Sequence, residues 1–235
     1  GLLQDVVPLG SRDILAGGTG LSGVPVVTGA PGTAFVYDTW AAGGQAGLVA
    51  LDEESGAVYG IGCNDSADGT EQDPWRIVMR YDLGEWSRFP SPCGSCASYD
   101  FRAIEATPAA LYVGGSYRPE PPKEPGIPAA ENAWLAHYSF EESGWMQLLL
   151  PEATLLQRVN AILVASDGVV FLACGSPDTP SYLVRLEPGE TAVIEQTFED
   201  LRLFDLAETS DGRILVSGLE SGAEEGRPVV LERGN

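Results

Sequence analysis

A nine-residue phrase recurs near both ends of the chain and restricts what this sequence can fold into. Residues 10–18 read GSRDILAGG and residues 210–218 read SDGRILVSG. Three further copies lie between them, as SGAVYGIGC, PAALYVGGS and SDGVVFLAC. The residues at the shared position are Gly18, Gly62, Gly115, Cys174 and Gly218. Steps of 44, 53, 59 and 44 residues separate them, and a repeat of this length is typical of solenoids, propellers and arrays.

Each copy contains the same order of short segments. A mixed apolar stretch comes first, and a tight turn follows that is twice spelled Ser-Asp-Gly, at 166–168 and at 210–212. A β-rich run ending in small residues comes next, then a loop of variable length, then two further runs rich in Val, Leu, Tyr and Trp. Four strands in each of five repeats predict an all-β propeller of about five four-stranded blades.

The predicted blade boundaries make the whole chain, residues 1–235, one propeller domain. The blades cover about 1–41, 42–92, 97–152, 155–198 and 199–235. The fifth repeat ends after its third strand, RPVVLER, so we expect the last blade to lack its outer strand. An open strand edge invites pairing, and we therefore expect this chain to belong to a longer polypeptide or to a ring with more than five blades.

The repeat resembles the degenerate propeller repeats of bacterial secreted and surface proteins. It has an Asp-Gly turn, an apolar run ending in Gly, a variable loop, an apolar-Arg-apolar run, a second Gly and an aromatic residue. The residues that carry it are Asp211-Gly212 with Gly218, Asp167-Gly168, Leu183-Val184-Arg185-Leu186 with Gly189, and Val78-Met79-Arg80-Tyr81 with Gly84-Glu85-Trp86. The resemblance implies a propeller fold and a bacterial surface setting; it implies no activity, because propellers host many functions.

The charge of the chain excludes several classes of partner. The chain has 34 acidic and 13 basic residues, a net charge of −21, so we expect no nucleic acid or anionic membrane as partner. No apolar run reaches the roughly 18 residues that a membrane helix needs, so membrane insertion is not expected. The first residues, GLLQDVVPLG, lack the features of a signal peptide; an exported protein would already have lost its signal.

Four cysteines are candidates for disulfide bonds: Cys63, Cys93, Cys96 and Cys174. Cys93 and Cys96 form a C-x-x-C motif, which is also found in redox pairs and in half of a zinc site. A structural zinc site needs four ligands, and the other cysteines and the single histidine form no second close pair. We therefore expect disulfides in an extracellular, cell-surface or periplasmic protein, with Cys63 bonded to Cys93 or Cys96.

Two loops are candidates for binding. Residues 63–73, CNDSADGTEQD, supply four carboxylates that are candidate calcium ligands, although the EF-hand spacing is absent. They are Asp65, Asp68, Glu71 and Asp73. Residues 117–132 form a long Pro-rich insertion, which is typical of exposed chain and is a candidate partner-binding arm.

The sequence predicts no catalytic residue and no cofactor. His137 is the single histidine and falls where other repeats have Arg80 and Arg185, and no nucleophile elbow accompanies it. We therefore expect a non-catalytic module that binds another protein, or the rest of a larger polypeptide, through its loop-rich face. Two alternatives stay open: a lectin that uses its tryptophans to bind glycans, and a hydrolase with carboxylates at the central channel.

Overall fold

In a computed structural model of the chain, the described residues are 2–9, 13–19, 25–29, 36–39, 44–66, 75–82, 85–93, 99–118, 131–176, 179–220 and 227–233. Side chains are described from residue 50 onward within these ranges, apart from residues 63–66, 75–77 and 86. Among these residues there are nineteen β-strands, and their single helical element is a 3-10 turn at Glu152–Thr154. The predicted all-β class is confirmed for this part of the chain.

The strands form five antiparallel sheets in chain order. The first sheet contains β1 (Leu2–Leu9), β2 (Asp13–Thr19), β3 (Pro25–Gly29) and β4 (Val36–Thr39). The second contains β5 (Gly44–Glu54), β6 (Ala57–Ser66), β7 (Trp75–Asp82) and β8 (Glu85–Phe89). The third contains β9 (Tyr99–Ala106), β10 (Ala110–Tyr117), β11 (Asn132–Ser139) and β12 (Gly144–Leu148). The fourth contains β13 (Val159–Val164), β14 (Val170–Cys174), β15 (Ser181–Leu186) and β16 (Val193–Phe198). The fifth contains β17 (Leu201–Glu208), β18 (Ile214–Glu220) and β19 (Arg227–Glu232).

The expected number of blades, about five with the last one lacking its outer strand, is corrected by this topology. Four sheets have the four strands of a propeller blade, whereas the fifth has three, because no strand pairs with the outer edge of β19 in the described part of the chain. The arrangement is therefore propeller-like with four blades, and not five, followed by a three-stranded sheet. The first strand of each sheet contacts the first strand of the next, so β1, β5, β9, β13 and β17 lie innermost.

The recurring small residue lies at the same register in every sheet. It lies in the second strand, within four residues of its end, and pairs with an apolar residue of the innermost strand, next to a β-bulge. The five pairs are Leu3↔Gly18, Leu48↔Gly62, Phe101↔Gly115, Val159↔Cys174 and Leu203↔Gly218. The repeated phrase of the sequence is thus one hairpin that recurs from sheet to sheet.

Close approach of the backbone explains why glycine recurs at this bulge. A Cβ atom added to Gly115 would lie 1.8 Å from the carbonyl oxygen of Asp100, and one added to Gly218 would lie 2.6 Å from that of Arg202. A bulge places the extra residue of the inner strand against its partner, and a backbone oxygen cannot move aside as a flexible side chain can.

The hydrophobic core is divided among the interfaces between neighbouring sheets. One cluster joins the second and third sheets through residues that include Ile61, Val78 and Leu111, all fully buried. A second cluster joins the third and fourth sheets around Leu135 and Leu172. A third joins the fourth sheet to β17 and β18, with Leu183 and Leu203 among its members. Both faces of the third and fourth sheets are therefore covered by the sheets beside them, as in a propeller.

We expect the substitution Gly115→Ala to destabilise the fold strongly, by about 1–3 kcal/mol or more, because the new methyl group would overlap a backbone oxygen. Gly144→Ala is the matched control: it lies in a strand of the same sheet, and the nearest atom to an added Cβ is 3.9 Å away. Its effect should stay within about 0.5 kcal/mol. Urea unfolding of both variants measures the difference, and equal midpoints would contradict this explanation of the repeat.

Candidate functional site

The connections of the sheets divide between two faces of the molecule. Since neighbouring strands run antiparallel, the turns after first and third strands lie at one end of each sheet. The loops after second strands and the connections to the next sheet lie at the other end. This second end, the loop-rich face, includes residues 118 and 131, which flank the Pro-rich insertion, and the connection between the third and fourth sheets, residues 149–158.

The connection 149–158 exposes three leucines on the loop-rich face. Leu149 is 81% exposed, Leu155 is 49% exposed and Leu156 is 53% exposed. The 3-10 turn fixes the segment between them, since the Thr154 N–H donates to the Pro151 oxygen at 2.9 Å. Leu156 has φ of +69°, a left-handed backbone conformation that residues other than glycine rarely adopt. Strain of this kind persists where the surrounding structure enforces it, and it is concentrated at functional sites.

The surroundings of the connection account for this conformation. Leu155 forms an isolated antiparallel bridge with Asn132, the first residue of β11. Gln157 is buried, and its Nε2 donates to the Thr179 hydroxyl at 2.6 Å. The two residues on either side of Leu156 are therefore held by different sheets, which leaves Leu156 to complete the turn with its side chain in solvent.

An ion network fixes the base of the insertion beside this connection. Glu131 accepts a hydrogen bond from the Arg118 Nε at 2.7 Å, and its other carboxylate oxygen is paired with Arg158. Ser116 also donates to Glu131 at 3.3 Å. Burial alone would raise the pKa of Glu131, but the bonds from both arginines outweigh it and lower the pKa. Arg118 and Glu131 thus join the two ends of the insertion, whose residues 119–130 lie outside the described residues.

Carboxylates of the innermost strands connect one sheet to the next. Asp52 of β5 accepts the backbone N–H of Ala106 on β9. Glu105 of β9 accepts the backbone N–H of Val164 on β13 at 3.1 Å. The two acceptors occupy the same register position of consecutive inner strands, and so do the two donors. Their repetition indicates that they join neighbouring sheets.

Glu105 has a strongly perturbed pKa. Burial, followed by the nearby charges of Asp52 and Asp205, raises its pKa from 4.5 to about 8, against the opposing effect of the bond from Val164. A carboxyl group that stays protonated near neutral pH is also what a general acid requires. The inner edge of the sheets is therefore the second candidate site of the molecule.

His137 lies where its repeat position predicts. Arg80, His137 and Arg185 each pair with an aromatic residue of the preceding strand, namely Tyr59, Tyr112 and Phe171. The Arg80 guanidinium is 5.9 Å from the Tyr59 ring centre, and the His137 ring stacks on Tyr112 at 5.7 Å. His137 is thus one variant of a packing position that recurs in three sheets.

An aromatic pocket of about 400 Å³ lies between the second and third sheets, at the end opposite the loop-rich face. Tyr59, Phe89, Tyr138 and Phe140 form its wall, and their rings contact one another edge to face or at a tilt. Trp145 packs on Phe89 and Tyr138, with its Nε1 donating to the Pro90 oxygen at 2.9 Å. Trp134 is 3% exposed. Both described tryptophan side chains serve packing.

The cysteine prediction is wrong for Cys174. Its side chain is a free thiol that is completely buried, and burial raises its pKa to about 12. It packs at the interface between the third and fourth sheets, in an apolar cluster that contains no other described cysteine. For Cys63, Cys93 and Cys96 disulfide bonding stays a prediction, since the side chain of Cys63 and all of Cys96 lie outside the described residues.

The candidate calcium ligands cannot be placed as a group. The side chain of Asp65 and all of Asp68, Glu71 and Asp73 lie outside the described residues. Within the side chains that are described, no cluster of three metal-ligating groups is found. No α-helix suited to crossing a bilayer occurs among the described residues either.

Comparison with known proteins gives structural neighbours alone. No protein-family model matches the chain, and no curated protein sequence matches it. The fold is similar to PorZ, an essential bacterial surface component of the type-IX secretion system of Porphyromonas gingivalis, with a TM-score of 0.55 and 13% identity over 97% of this chain. The match covers 32% of the PorZ chain. YjhT has a TM-score of 0.57 at 13% identity, over 97% of this chain and 79% of its own. These likenesses establish the propeller-like fold.

The raised pKa of Glu105 predicts a pH dependence of stability. Between pH 4.5 and about 8 the unfolded chain has lost this proton while the folded chain retains it, so the contribution of Glu105 to stability falls as pH rises through this window. Glu105→Gln should flatten this part of the stability curve. Thermal unfolding from pH 5 to 8 measures it, with the exposed Glu142→Gln as control. Parallel curves for wild type and Glu105→Gln would contradict the assignment.

Leu156→Gly should stabilise the fold, by about 0.5–1 kcal/mol, because glycine adopts positive φ without steric cost. Leu155→Gly is the matched control: the neighbouring residue has φ of −58°, so the same change should be neutral or destabilising. Chemical denaturation compares the two. A loss of stability in Leu156→Gly would mean that its side chain contributes more packing than its exposure indicates.

Proposed function

We propose that this chain is a non-catalytic binding module of an exported or surface-located protein, and that it recognises another protein through its loop-rich face. The observation that carries the proposal is the connection 149–158, which holds three leucines in solvent and places one of them in a strained conformation. Exposed apolar side chains that cluster on one segment are typical of interaction sites.

The ion network beside these leucines supports the same surface. Apolar anchors surrounded by polar groups are the usual composition of a protein-binding patch. Arg118 is 54% exposed beyond its bond to Glu131, and it lies at the base of the insertion that the sequence indicates as a binding arm. The net charge of −21 favours a partner with a basic surface. The surface location of PorZ, whose fold is similar, supports an extracellular setting.

A hydrolase is the second candidate, and Glu105 is the observation that favours it. Its pKa of about 8 and its proximity to the charges of Asp52 and Asp205 match the environment of a general acid. The bonds that Asp52 and Glu105 accept from the next sheet weigh against this role, since both carboxylates are engaged in holding sheets together. A lectin is a further alternative, with the aromatic pocket of about 400 Å³ as its candidate glycan site.

The test is selective loss of partner binding when the exposed leucines are changed. The 235-residue chain is immobilised and incubated with extracytoplasmic proteins of its source, and retained proteins are quantified by mass spectrometry. In the double variant Leu149→Ser/Leu155→Ser, retention of a specific partner should fall about tenfold or more, which corresponds to about 1.4 kcal/mol. Val193→Ser, on an outer strand and 46% exposed, is the control that should retain the partner.

Three outcomes would contradict the proposal. Equal retention of the partner by the double variant and by the control would show that the exposed leucines of the loop-rich face do not take part in binding. Hydrolysis of aryl glycosides by the wild type that is lost in Glu105→Gln would assign the hydrolase function instead. Specific glycan binding that is lost when Phe140, at the aromatic pocket, is changed to Ala would assign the lectin function.

A further inference from the structure

The aromatic pocket between the second and third sheets carries two opposite charges as well as apolar walls. Its volume of about 400 Å³ lies in the range of small-ligand sites, roughly 300–1,000 Å³. Arg80 and Glu54 contribute the charges to its lining, and Ser55 and Thr107 contribute hydroxyl groups. Four rings form the aromatic wall: Tyr59, Phe89, Tyr138 and Phe140. Apolar walls with a few polar groups that fix orientation are typical of sites for small molecules.

The equivalent space between the fourth and fifth sheets is filled by charged side chains of the chain itself. Arg185 occupies the same register position as Arg80, each opposite an aromatic residue of the preceding strand. Glu195 is paired with Arg185 and also with Arg233. The Arg233 guanidinium lies 4.9 Å from the ring centre of Phe171. In this space a carboxylate therefore joins two guanidinium groups beside an aromatic ring.

The aromatic pocket lacks a carboxylate that corresponds to Glu195. In the outer strand of the fourth sheet, Glu195 lies two residues after the partner of Arg185. In the outer strand of the second sheet, Phe89 lies two residues after the partner of Arg80. Both side chains contact the following sheet, so an aromatic ring takes the place of the carboxylate. The position beside Arg80 is therefore open to a carboxylate from outside the chain.

Arg80 has hydrogen-bonding capacity that the described residues do not use. One nitrogen of its guanidinium donates to Asp82 at 2.9 Å. Its Nε is buried and has no hydrogen-bond partner among the described residues, whereas the Nε of Arg185 lies 3.5 Å from Glu195. The Arg80 side chain is 41% exposed and lines the pocket, so a ligand can reach the guanidinium. Since guanidinium groups bond strongly to carboxylates, Arg80 is suited to bind the carboxylate of a ligand.

Glu54 supplies the opposite charge of the pocket. It is half-buried, accepts a hydrogen bond from the adjacent Ser55 hydroxyl and forms no ion pair with a described arginine. Burial raises the pKa of Tyr59, the charge of Arg80 lowers it, and the charges of Asp82 and Glu54 raise it. Both charges of the pocket therefore act on the same ring, and the carboxylate of Glu54 can pair with a cationic group of a ligand.

The overall charge of the protein restricts what kind of molecule would enter. The chain has a net charge of −21, which repels a free anion, and Asp82 already neutralises part of the charge of Arg80. A molecule with one carboxylate and one ammonium group has no net charge, and each group finds an opposite charge in the pocket. The aromatic rings remain for its apolar part. An amino acid with an apolar side chain has this combination of groups.

We propose that the aromatic pocket binds a free α-amino acid with an apolar side chain. The carboxylate of the ligand pairs with Arg80, and its ammonium group pairs with Glu54. Its side chain packs on Phe89 and Phe140, the two rings of the wall that are partly exposed. The pocket lies at the end opposite the loop-rich face, so this site is separate from the surface proposed to bind a protein and adds a small-molecule ligand to it.

The experiment compares L-phenylalanine with two analogues that each lack one charge. Isothermal titration calorimetry with the 235-residue chain should show saturable binding of L-phenylalanine. Phenethylamine lacks the carboxylate and 3-phenylpropanoate lacks the ammonium group, and each should bind at least about tenfold more weakly. This comparison uses the unchanged protein, so it does not depend on how any variant folds.

Two variants assign each charge of the ligand to one residue. Arg80→Gln should remove the preference for L-phenylalanine over phenethylamine and keep the preference over 3-phenylpropanoate, and Glu54→Gln should do the reverse. Arg88→Gln and Glu142→Gln are the matched controls, since both residues are exposed and neither lines the pocket. The controls should bind L-phenylalanine like the wild type. Thermal unfolding checks that all four variants are folded.

Absence of saturable L-phenylalanine binding would overturn the proposal, and so would equal binding of the three compounds. Unchanged preferences in both pocket variants would contradict it too, because the ligand would then bind elsewhere. Binding of a methyl glycoside that is lost in Phe140→Ala, without binding of L-phenylalanine, would assign the pocket to glycans instead. The double variant Leu149→Ser/Leu155→Ser should bind L-phenylalanine normally, so this inference and the proposed function can fail separately.

Discussion

Every innermost strand of this fold has one hydrogen-bonding edge that its own sheet does not pair. Buried backbone N–H groups without partners are costly, so the assembly of sheets depends on how these edges are satisfied. Asp52 and Glu105 solve this problem in the same way, each accepting an N–H from the inner strand of the following sheet. Glu208 makes the reverse connection, since it accepts the backbone N–H and the hydroxyl of Ser166 in the preceding sheet at 2.8 and 2.7 Å.

This arrangement places acidic groups close together in a chain that is already strongly negative. Burial, with the charges of Asp52 and Asp205, raises the pKa of Glu105 to about 8, and the proton that it retains removes one negative charge from the inner edge near neutral pH. A protonated carboxyl group can still accept the N–H of Val164 through its carbonyl oxygen, so the connection between sheets does not require ionisation. Glu105 therefore joins two sheets and is also the side chain on which the hydrolase alternative depends.

The sequence predicts those parts of the fold that depend on local geometry. The small residue at 18, 62, 115, 174 and 218 can be found by aligning phrases, because the bulge at each hairpin constrains the residue directly. The acids at 52 and 105 occupy equivalent positions too, but Leu163 and Ala207 interrupt the pattern in the next two sheets, so no repeat of carboxylates is visible.

The left-handed conformation of Leu156 has no signal in the sequence, because contacts with two different sheets impose it. The predicted number of blades exceeds the four of the structure by one, because the repeat phrase marks the hairpin of first and second strands, and the three-stranded fifth sheet carries that hairpin too.

The bond between Arg118 and Glu131 affects how far the sequence and length of the insertion between them can be changed. This bond closes the insertion at its base. Because the entropic cost of closing a loop grows only slowly with its length, a change in the number of residues between Arg118 and Glu131 should alter that cost little. Lengthening, shortening or replacing residues 119–130 should therefore leave β10 and β11 in register. Changes within residues 119–130 should therefore have little effect on the stability of the sheets, which makes this stretch a natural position for grafting a foreign peptide onto the scaffold.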